Sequence, residues 1–149
     1  GSKNITQTIT CNFLQPLRHH FHSEEKQCQR TNKRKDVKNY IKESHCLVLP
    51  SWHEGMANTN LEGAASGRPI ITSNIFGCKE AVINNLTGFL VEKKDVNSLY
   101  LAMKKISKMS YEERKIMGLN GRKHMEQFFD KKIVVKKTID NIFKENKRS

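Results

Sequence analysis

The chain has 149 residues, the size of one ordinary domain, and its formal net charge at pH 7 is +12. No apolar run approaches the roughly 20 residues that cross a bilayer and no secretory signal is visible, so a soluble chain is expected. The positive charge favours polyanionic partners, but the lysines are scattered and no nucleic-acid-recognition motif accompanies them. The scattered lysines and the missing motif exclude nucleic acid as the expected partner. An anionic membrane surface remains a candidate partner.

Residues 1–34 are the least regular part of the chain. Thr8-Ile9-Thr10 and Phe13-Leu14 have the composition of strand fragments, whereas Arg18 to His22 shows no period. We expect this segment to be poorly ordered or divergent. Its histidines could bind a transition metal, but they lack helical i, i+4 spacing, so a solvated polar run is the favoured interpretation.

A regular α/β pattern begins at Lys35, and residues 35–149 are expected to form one domain. Asp36 to Glu43 has apolar residues at i, i+3 and i+4, which predicts a short amphipathic helix. Cys46 to Leu49 is an unbroken apolar run, typical of a strand that is covered on both faces of a parallel sheet. The two elements together predict the entry into an α/β layer.

The loop from Trp52 to Ala57 follows this strand and leads into a helix. Asn58 or Thr59 is the expected cap of that helix, Gly67 ends it, and Ile70-Ile71-Thr72 forms the next buried strand. Open α/β sheets bind ligands at the carboxyl edge, where such a loop and helix start lie. The functional site is therefore expected in this unit.

The second half predicts a helix near Lys79 to Asn84, a strand at Phe89 to Val91, and then a run of helices. Asp95 or Asn97 caps the first of these helices, Ser110 and Glu113 form a capping box for the second, and Asp130 caps the last. The residues expected to be buried are Val96, Leu99, Met103 and Ile106, then Met117, Gly121, Met125 and Phe128, then Val135, Ile139, Ile142 and Phe143.

Two carboxylates frame the predicted site, Glu54 in the loop and Glu62 in the first turn or so of the helix. Backbone N–H groups at a helix start attract phosphate. An acid beside such a site accepts hydrogen bonds from hydroxyl groups, as with ribose in dinucleotide-binding folds. Together the residues suggest a ligand with phosphate and sugar hydroxyls. Either carboxylate alone is better explained as a solvated charge or a helix-dipole partner. Glu80, near the next helix, could face the same crevice, with an ordinary surface acid as a nearly equal alternative.

The four cysteines indicate the compartment. None forms a CxxC pair, and Cys46 stands in a predicted buried strand. We expect reduced thiols in a cytoplasmic protein, with peripheral association at the inner membrane face as an option, rather than a disulfide framework or a zinc site. The initial Gly-Ser is interpreted as an expression-tag remnant, which makes the chain an excised C-terminal portion.

The site region also carries a family resemblance. Pro-Ser-x-x-Glu-Gly followed by Asn-Leu-Glu-Gly-Ala-Ala-x-Gly-Arg-Pro-Ile-Ile resembles the donor-binding signature of retaining glycosyltransferases of the family 4 type. The similarity spans roughly Lys35 to Phe143 and continues in the family's order through Gly77 to Val82, Gly88 to Val91 and Met117 to Arg122. It implies a Rossmann-like parallel sheet flanked by helices, the C-terminal half of a GT-B enzyme.

The resemblance also implies roles for the site residues. Glu54 would be the catalytic residue, beside the transferred sugar and the positive charge that develops at its anomeric carbon. Glu62 would accept hydrogen bonds from the ribose of a UDP- or GDP-sugar. The other donor-binding residues would be Gly55, Met56, Ala57, Asn58 and Thr59, whose amides cradle the diphosphate, and Gly77, near which the sugar is selected. The family needs no cofactor and generally no metal, and the absence of an Asp-x-Asp triplet agrees.

The resemblance stops short of a complete enzyme. The family's Arg and Lys that neutralise the leaving diphosphate have no clear match in residues 3–34, and the acceptor-binding N-terminal domain is not in the chain. The fragment is therefore expected to be inactive, whereas its parent would transfer a hexose-type sugar to a glycan or lipid-linked acceptor. A basic polyanion- or membrane-binding module and a degenerate non-catalytic relative are the alternatives. Base, sugar, acceptor, linkage and oligomeric state stay open.

Overall fold

The computed structural model describes residues 9–11, 28–30 and 37–145. Its strands are β1 (Ile9–Cys11), β2 (Cys28–Arg30), β3 (Cys46–Leu49), β4 (Ile70–Ser73) and β5 (Gly88–Val91). Its helices are α1 (Val37–Glu43), α2 (Asn58–Ala65), α3 (Val96–Lys108), α4 (Tyr111–Phe128) and α5 (Lys131–Glu145). The strands form one sheet in the order β2-β1-β3-β4-β5.

The predicted Rossmann-like architecture is confirmed in β3, β4 and β5, which are parallel. Leu47 pairs with Ile70, and Ile71 pairs with Phe89. Two further strands extend the sheet, with β1 antiparallel to β3 and β2 antiparallel to β1. β1 agrees with the strand fragment expected around Ile9, whereas β2 was not predicted. The remainder of residues 1–34, with the histidine run, lies outside the described residues, so its expected order stays a prediction.

The parallel strands are buried on both faces, as their unbroken apolar sequences predict. Every residue of β3 and β4 is buried. Because successive side chains point to opposite faces, alternate residues join two separate cores. One core contains Cys46, Val48, Ile71, Phe89, Val91, Ala102, Ile106 and Met117, and the other contains Ile41, Leu47, Ala64, Ile70, Ala81, Val82 and Met125.

Three helix starts have the predicted caps. The Asp95 carboxylate accepts the N–H groups of Asn97 and Ser98, Ser110 and Glu113 form the capping box, and Asp130 accepts the N–H of Lys132. The cap predicted for α2 is wrong, because the helix already begins at Asn58 and its N-cap is Ala57. The predicted end of α2 is confirmed, since Gly67 follows it with φ +72°.

The helix predicted near Lys79 to Asn84 is wrong beyond its first turn. Only Lys79–Ala81 forms a short 3-10 helix. The chain then leaves helical geometry because side chains take over the backbone hydrogen bonds. The N–H of Ile83 donates to the Thr87 hydroxyl at 2.8 Å, and the Asn84 side chain accepts from the N–H of Leu90 at 3.1 Å.

The prediction of buried helix faces is partly wrong. Met117, Gly121 and Met125 are buried, but Val96, Phe128, Val135, Ile139, Ile142 and Phe143 are exposed. Phe143 at the far end of α5 is 64% exposed. An apolar stripe predicts which face of a helix is hydrophobic, but it does not show that a partner covers that face. No described helix is long and apolar enough to span a bilayer.

Candidate functional site

The loops that follow β3 and β4 lie against each other at the carboxyl edge of the sheet. The N–H of Ala57 in the first loop donates to the carbonyl of Gly77 in the second at 2.7 Å. Gly77 has φ +86°, and a Cβ there would stand 2.6 Å from the Glu54 carbonyl oxygen and 2.7 Å from that of Gly55. Only glycine fits both the backbone angle and the space. The structure thus brings together Gly77 and the loop that carries Glu54.

The carboxylate of Glu54 is oriented by its own loop. The buried hydroxyl of Ser51 donates to Glu54 Oε1 at 2.7 Å, and Glu54 is half-buried. A carboxylate has acceptor sites on both oxygens, so this bond fixes its orientation and leaves capacity for hydroxyl donors. Sequence reasoning gave Ser51 no role, although its position three residues before Glu54 was a usable signal.

Glu62 is the fifth residue of α2, close to its expected place in the first turn or so of the helix. Its side chain is exposed, on the same helix face as Asn58 four residues earlier. Helical side chains lean toward the helix N-terminus. The Cα–Cβ bond of Glu62 is therefore tilted toward the helix start, and Glu54 precedes that start in the adjoining loop.

The start of α2 has the positive end of the helix dipole and no side-chain cap. Two of the five amides predicted to bind diphosphate are already engaged within the protein. The Ala57 N–H donates to Gly77, and the Asn58 N–H donates to the Met56 carbonyl at 3.0 Å. These bonds shape the loop, so Ala57 and Asn58 support the geometry of the site through their backbones.

A buried polar chain fastens α2 beneath the site. Asn60 is fully buried, and its Nδ2 donates to the Thr72 hydroxyl at 2.9 Å. Thr72 donates in turn to the carbonyl of Leu49, at the end of β3, at 3.0 Å. The buried Oδ1 of Asn60 has no hydrogen-bond partner among the described residues. Sequence reasoning missed Asn60, a polar residue on the buried face of a short helix.

Cys78 packs below the two loops with Leu49 and Ala57. Burial raises the pKa of the Cys78 thiol, and the charges of Glu54 and Glu80 raise this pKa further, while a hydrogen bond with Thr72 opposes them. The thiol therefore stays protonated at neutral pH and serves as a packing group. Cys78 is a free thiol in the structure.

The remaining side chains around the two loops differ in their surroundings. Glu80 is half-buried, and its main-chain carbonyl contacts Nε2 of His124 at 3.0 Å.

Trp52, Met56 and Phe76 are exposed, and Phe76 is 75% exposed. Sequence reasoning did not single out this apolar rim, which offers ring and thioether surfaces that could pack on a flat ligand.

Comparison with known proteins gives the site a family context. Residues 18–124 match the family described as glycosyl transferases group 1. CapM of Staphylococcus aureus, a capsular polysaccharide biosynthesis glycosyltransferase, is 35% identical over 101 residues, which are 66% of this chain and 26% of that protein. The UDP-Gal:alpha-D-GlcNAc-diphosphoundecaprenol alpha-1,3-galactosyltransferase of Escherichia coli is 40% identical over 74 residues, 50% of this chain and 19% of that protein.

A solved structure gives the same result for the fold. The glycosyltransferase of Rickettsia africae superimposes with a TM-score of 0.68 at 26% identity, over 75% of this chain and 30% of that one. The chain spans about a quarter of the length of the curated relatives that it matches. The family match begins at residue 18, so it extends the resemblance upstream of Lys35.

Proposed function

The chain belongs to the glycosyl transferases group 1 family, and on that premise we propose that it is the donor-binding part of a retaining glycosyltransferase. The observation that carries the proposal is the contact between Gly77 and the peptide of Glu54. It holds a carboxylate-bearing loop at the carboxyl edge of a parallel sheet, beside an uncapped helix start. This combination suits a ligand with both diphosphate and sugar hydroxyls.

The proposed donor is a nucleotide diphosphate sugar with a hexose-type sugar. A UDP-sugar is the first to test, because the name of the E. coli relative contains UDP-Gal; a GDP-sugar is the second. The proposed acceptor is a glycan or a lipid-linked glycan, bound through a domain outside this chain. The name of that relative contains a GlcNAc-diphosphoundecaprenol, and the name of CapM refers to capsular polysaccharide biosynthesis. The proposed location is the cytoplasm, with peripheral contact at the membrane.

The chemistry divides between the two carboxylates and the helix start. Glu62 would accept hydrogen bonds from the ribose hydroxyls, while the amides of Gly55, Met56 and Thr59 and the dipole of α2 would stabilise the diphosphate. Glu54, oriented by Ser51, would stabilise positive charge at the anomeric carbon.

The proposed transfer breaks the bond between the anomeric carbon and the diphosphate oxygen. A bond from the acceptor oxygen forms on the same face of the sugar, and the acceptor proton passes to the departing diphosphate. Because the chain spans about a quarter of the length of its curated relatives, we expect it to bind the donor but not to catalyse transfer by itself.

Ligand-observed saturation-transfer NMR tests this proposal directly. The chain is mixed in turn with UDP-, GDP- and ADP-sugars, and the measurement is repeated with Glu62→Ala and with a control, Glu112→Ala. Glu112 is also an exposed helical glutamate, but it lies on α4. We expect transfer to one nucleotide sugar that is lost in Glu62→Ala and retained in the control.

Two results would contradict the proposal. No transfer to any nucleotide sugar would favour a degenerate relative that keeps the fold without the donor. Binding that ignores Glu62 and falls steeply with salt would favour the alternative of a basic polyanion- or membrane-binding module.

A further inference from the structure

A cavity of 160 Å³ lies at the opposite edge of the sheet from the candidate donor site. Two of its lining residues, His45 and Pro69, directly precede β3 and β4. The parallel strands are four residues long, so the two edges are separated by roughly 13 Å at about 3.3 Å per residue. This cavity is therefore separate from the loops around Glu54 and Gly77.

The cavity is lined by four cationic side chains and, among the described residues, by no acidic one. They are Arg68, Arg114, Lys115 and Arg122. Lys115 and Arg122 pair with exposed carboxylates, those of Glu112 at 3.7 Å and Glu126 at 3.0 Å. The two other cations form the more buried part of the cavity.

The guanidinium groups of the half-buried Arg68 and the buried Arg114 donate to backbone carbonyls instead. Arg68 donates to the carbonyl of Lys42 at 2.6 Å, and Arg114 donates to that of Met109. Arg114 is only 6% exposed. A carbonyl satisfies an N–H group but does not neutralise the positive charge, so the charge of both arginines remains within the cavity.

One donor in the cavity wall still lacks an acceptor. The Nε–H of Arg68 is buried and has no hydrogen-bond partner in the described part of the chain. A buried donor without an acceptor destabilises the protein, so an occupant that accepts a hydrogen bond from it is favoured. The unpaired N–H of Arg68 and the positive charge of the two arginines both favour an occupant with a negatively charged oxygen.

The cavity walls are held in place by a close backbone contact. A Cβ on Gly118 would stand 2.0 Å from the carbonyl oxygen of Gly67, so α4 packs directly on the turn that precedes Arg68. This contact brings Arg114 on α4 to the side of Arg68. His45 lines the same cavity. Burial lowers its pKa, and the positive charges of Arg114 and Arg68 lower this pKa further.

We propose that this cavity binds a phosphate group, held by Arg68 and Arg114 with Lys115 and Arg122 at the rim. Guanidinium groups present N–H donors in a planar fork that matches the oxygens of phosphate. The volume equals that of about five water molecules, taking about 30 Å³ each, so a phosphate fits with room for its ester substituent. The site does not depend on the proposed donor function.

An NMR titration of the whole chain with inorganic phosphate tests the site. The signals followed are Arg68 Nε–H and the ring of His45, with sodium chloride at matched ionic strength as the blank. We expect saturable shifts of both signals with phosphate. We also expect the pKa of His45 to rise toward its ordinary value, because a bound anion offsets the field of the two arginines. Absence of a saturable shift at both residues would overturn the proposal.

Variants separate a specific site from general positive charge. Arg114→Gln should weaken phosphate binding by about tenfold or more, because a charge-assisted contact is lost. Arg122→Gln, at the exposed rim, keeps the test valid if Arg114→Gln fails to fold, and it should weaken binding by a smaller factor. Lys123→Gln removes the same charge from the same helix outside the cavity and should change nothing. An equal loss in Lys123→Gln would overturn the proposal.

Flotation with lipid vesicles identifies the source of the phosphate group. The chain is mixed with phosphatidylcholine vesicles with and without phosphatidylglycerol, each with and without inorganic phosphate. Retention on phosphatidylglycerol that phosphate displaces and that Arg122→Gln reduces would identify a lipid headgroup. Saturable phosphate shifts without vesicle retention would identify a soluble phosphate. Retention that both Arg122→Gln and Lys123→Gln reduce equally, with no phosphate shift, would overturn the site.

Discussion

The backbone of Gly77 lies against the peptide of Glu54 so closely that a Cβ at Gly77 would stand 2.6 Å from the Glu54 carbonyl oxygen. The two loops of the candidate site therefore depend on each other. The loop after β4 fixes the position of the loop after β3, and with it the carboxylate that we propose to be catalytic. A substitution at Gly77 therefore tests whether the two loops are packed against each other.

Replacing Gly77 with alanine should destabilise the protein by about 2–4 kcal/mol, because the residue has φ +86° and the Cβ would clash with backbone atoms. Urea unfolding of the variant measures this loss. Gly55→Ala is the matched control, since a Cβ at Gly55 meets nothing within 4 Å, and its effect should stay below about 1 kcal/mol. Equal stability of the two variants would show that the loops are not packed as described.

Replacing Ser51 with alanine should weaken donor binding more than it weakens folding. The Ser51 hydroxyl orients Glu54 Oε1 at 2.7 Å, and the hydrogen bond itself contributes about 0.5–1.5 kcal/mol. We expect a several-fold loss of nucleotide-sugar affinity, measured by calorimetry, together with a small decrease in the melting temperature. Ser107→Ala is the control, because the Ser107 hydroxyl donates to the Lys104 carbonyl on the exposed side of α3. An unchanged affinity in Ser51→Ala would show that Glu54 needs no orienting donor.

The features that could be predicted from sequence are those that neighbouring residues determine. The apolar run Cys46–Leu49 predicts a buried strand, Gly67 predicts the end of α2, and Ser110 with Glu113 predicts a capping box, because each depends on contacts a few residues apart. The sequence also predicts that Glu54 lies in the loop after this strand, whereas its proposed role comes from the family resemblance.

The features that could not be predicted depend on residues distant in sequence. The pairing of β2 with β1 joins segments that have no shared periodicity. The role of Asn60 requires Thr72, 12 residues later, and the cavity around Arg68 requires Arg114 on a separate helix. For α5 the sequence predicts a contact that the structure does not have. Ile139 belongs to an apolar stripe, but no partner buries it among the described residues.

Replacing Thr72 with valine should destabilise the fold beneath the candidate site. The Thr72 hydroxyl accepts from Asn60 and donates to Leu49, so its removal takes a buried hydrogen-bond partner from each of them. The expected loss is about 1–3 kcal/mol in the free energy of unfolding. Thr138→Val is the control, because the Thr138 hydroxyl is exposed on α5 and bonds only the Val134 carbonyl. A loss in the control as large as that in Thr72→Val would remove the case for a buried network.

The capping box of α4 should make stability depend on acid pH. Hydrogen bonds from the backbone and then the side chain of Ser110 hold the pKa of Glu113 below its usual range. A carboxyl with a lowered folded pKa contributes stability that is present above its unfolded pKa and lost as pH falls through its folded pKa. The difference in melting temperature between the wild type and Glu113→Gln should therefore be largest near neutral pH and shrink in acid. A difference that stays constant down to low pH would mean that the Glu113 carboxylate does not cap α4, the helix that carries Arg114 into the phosphate cavity.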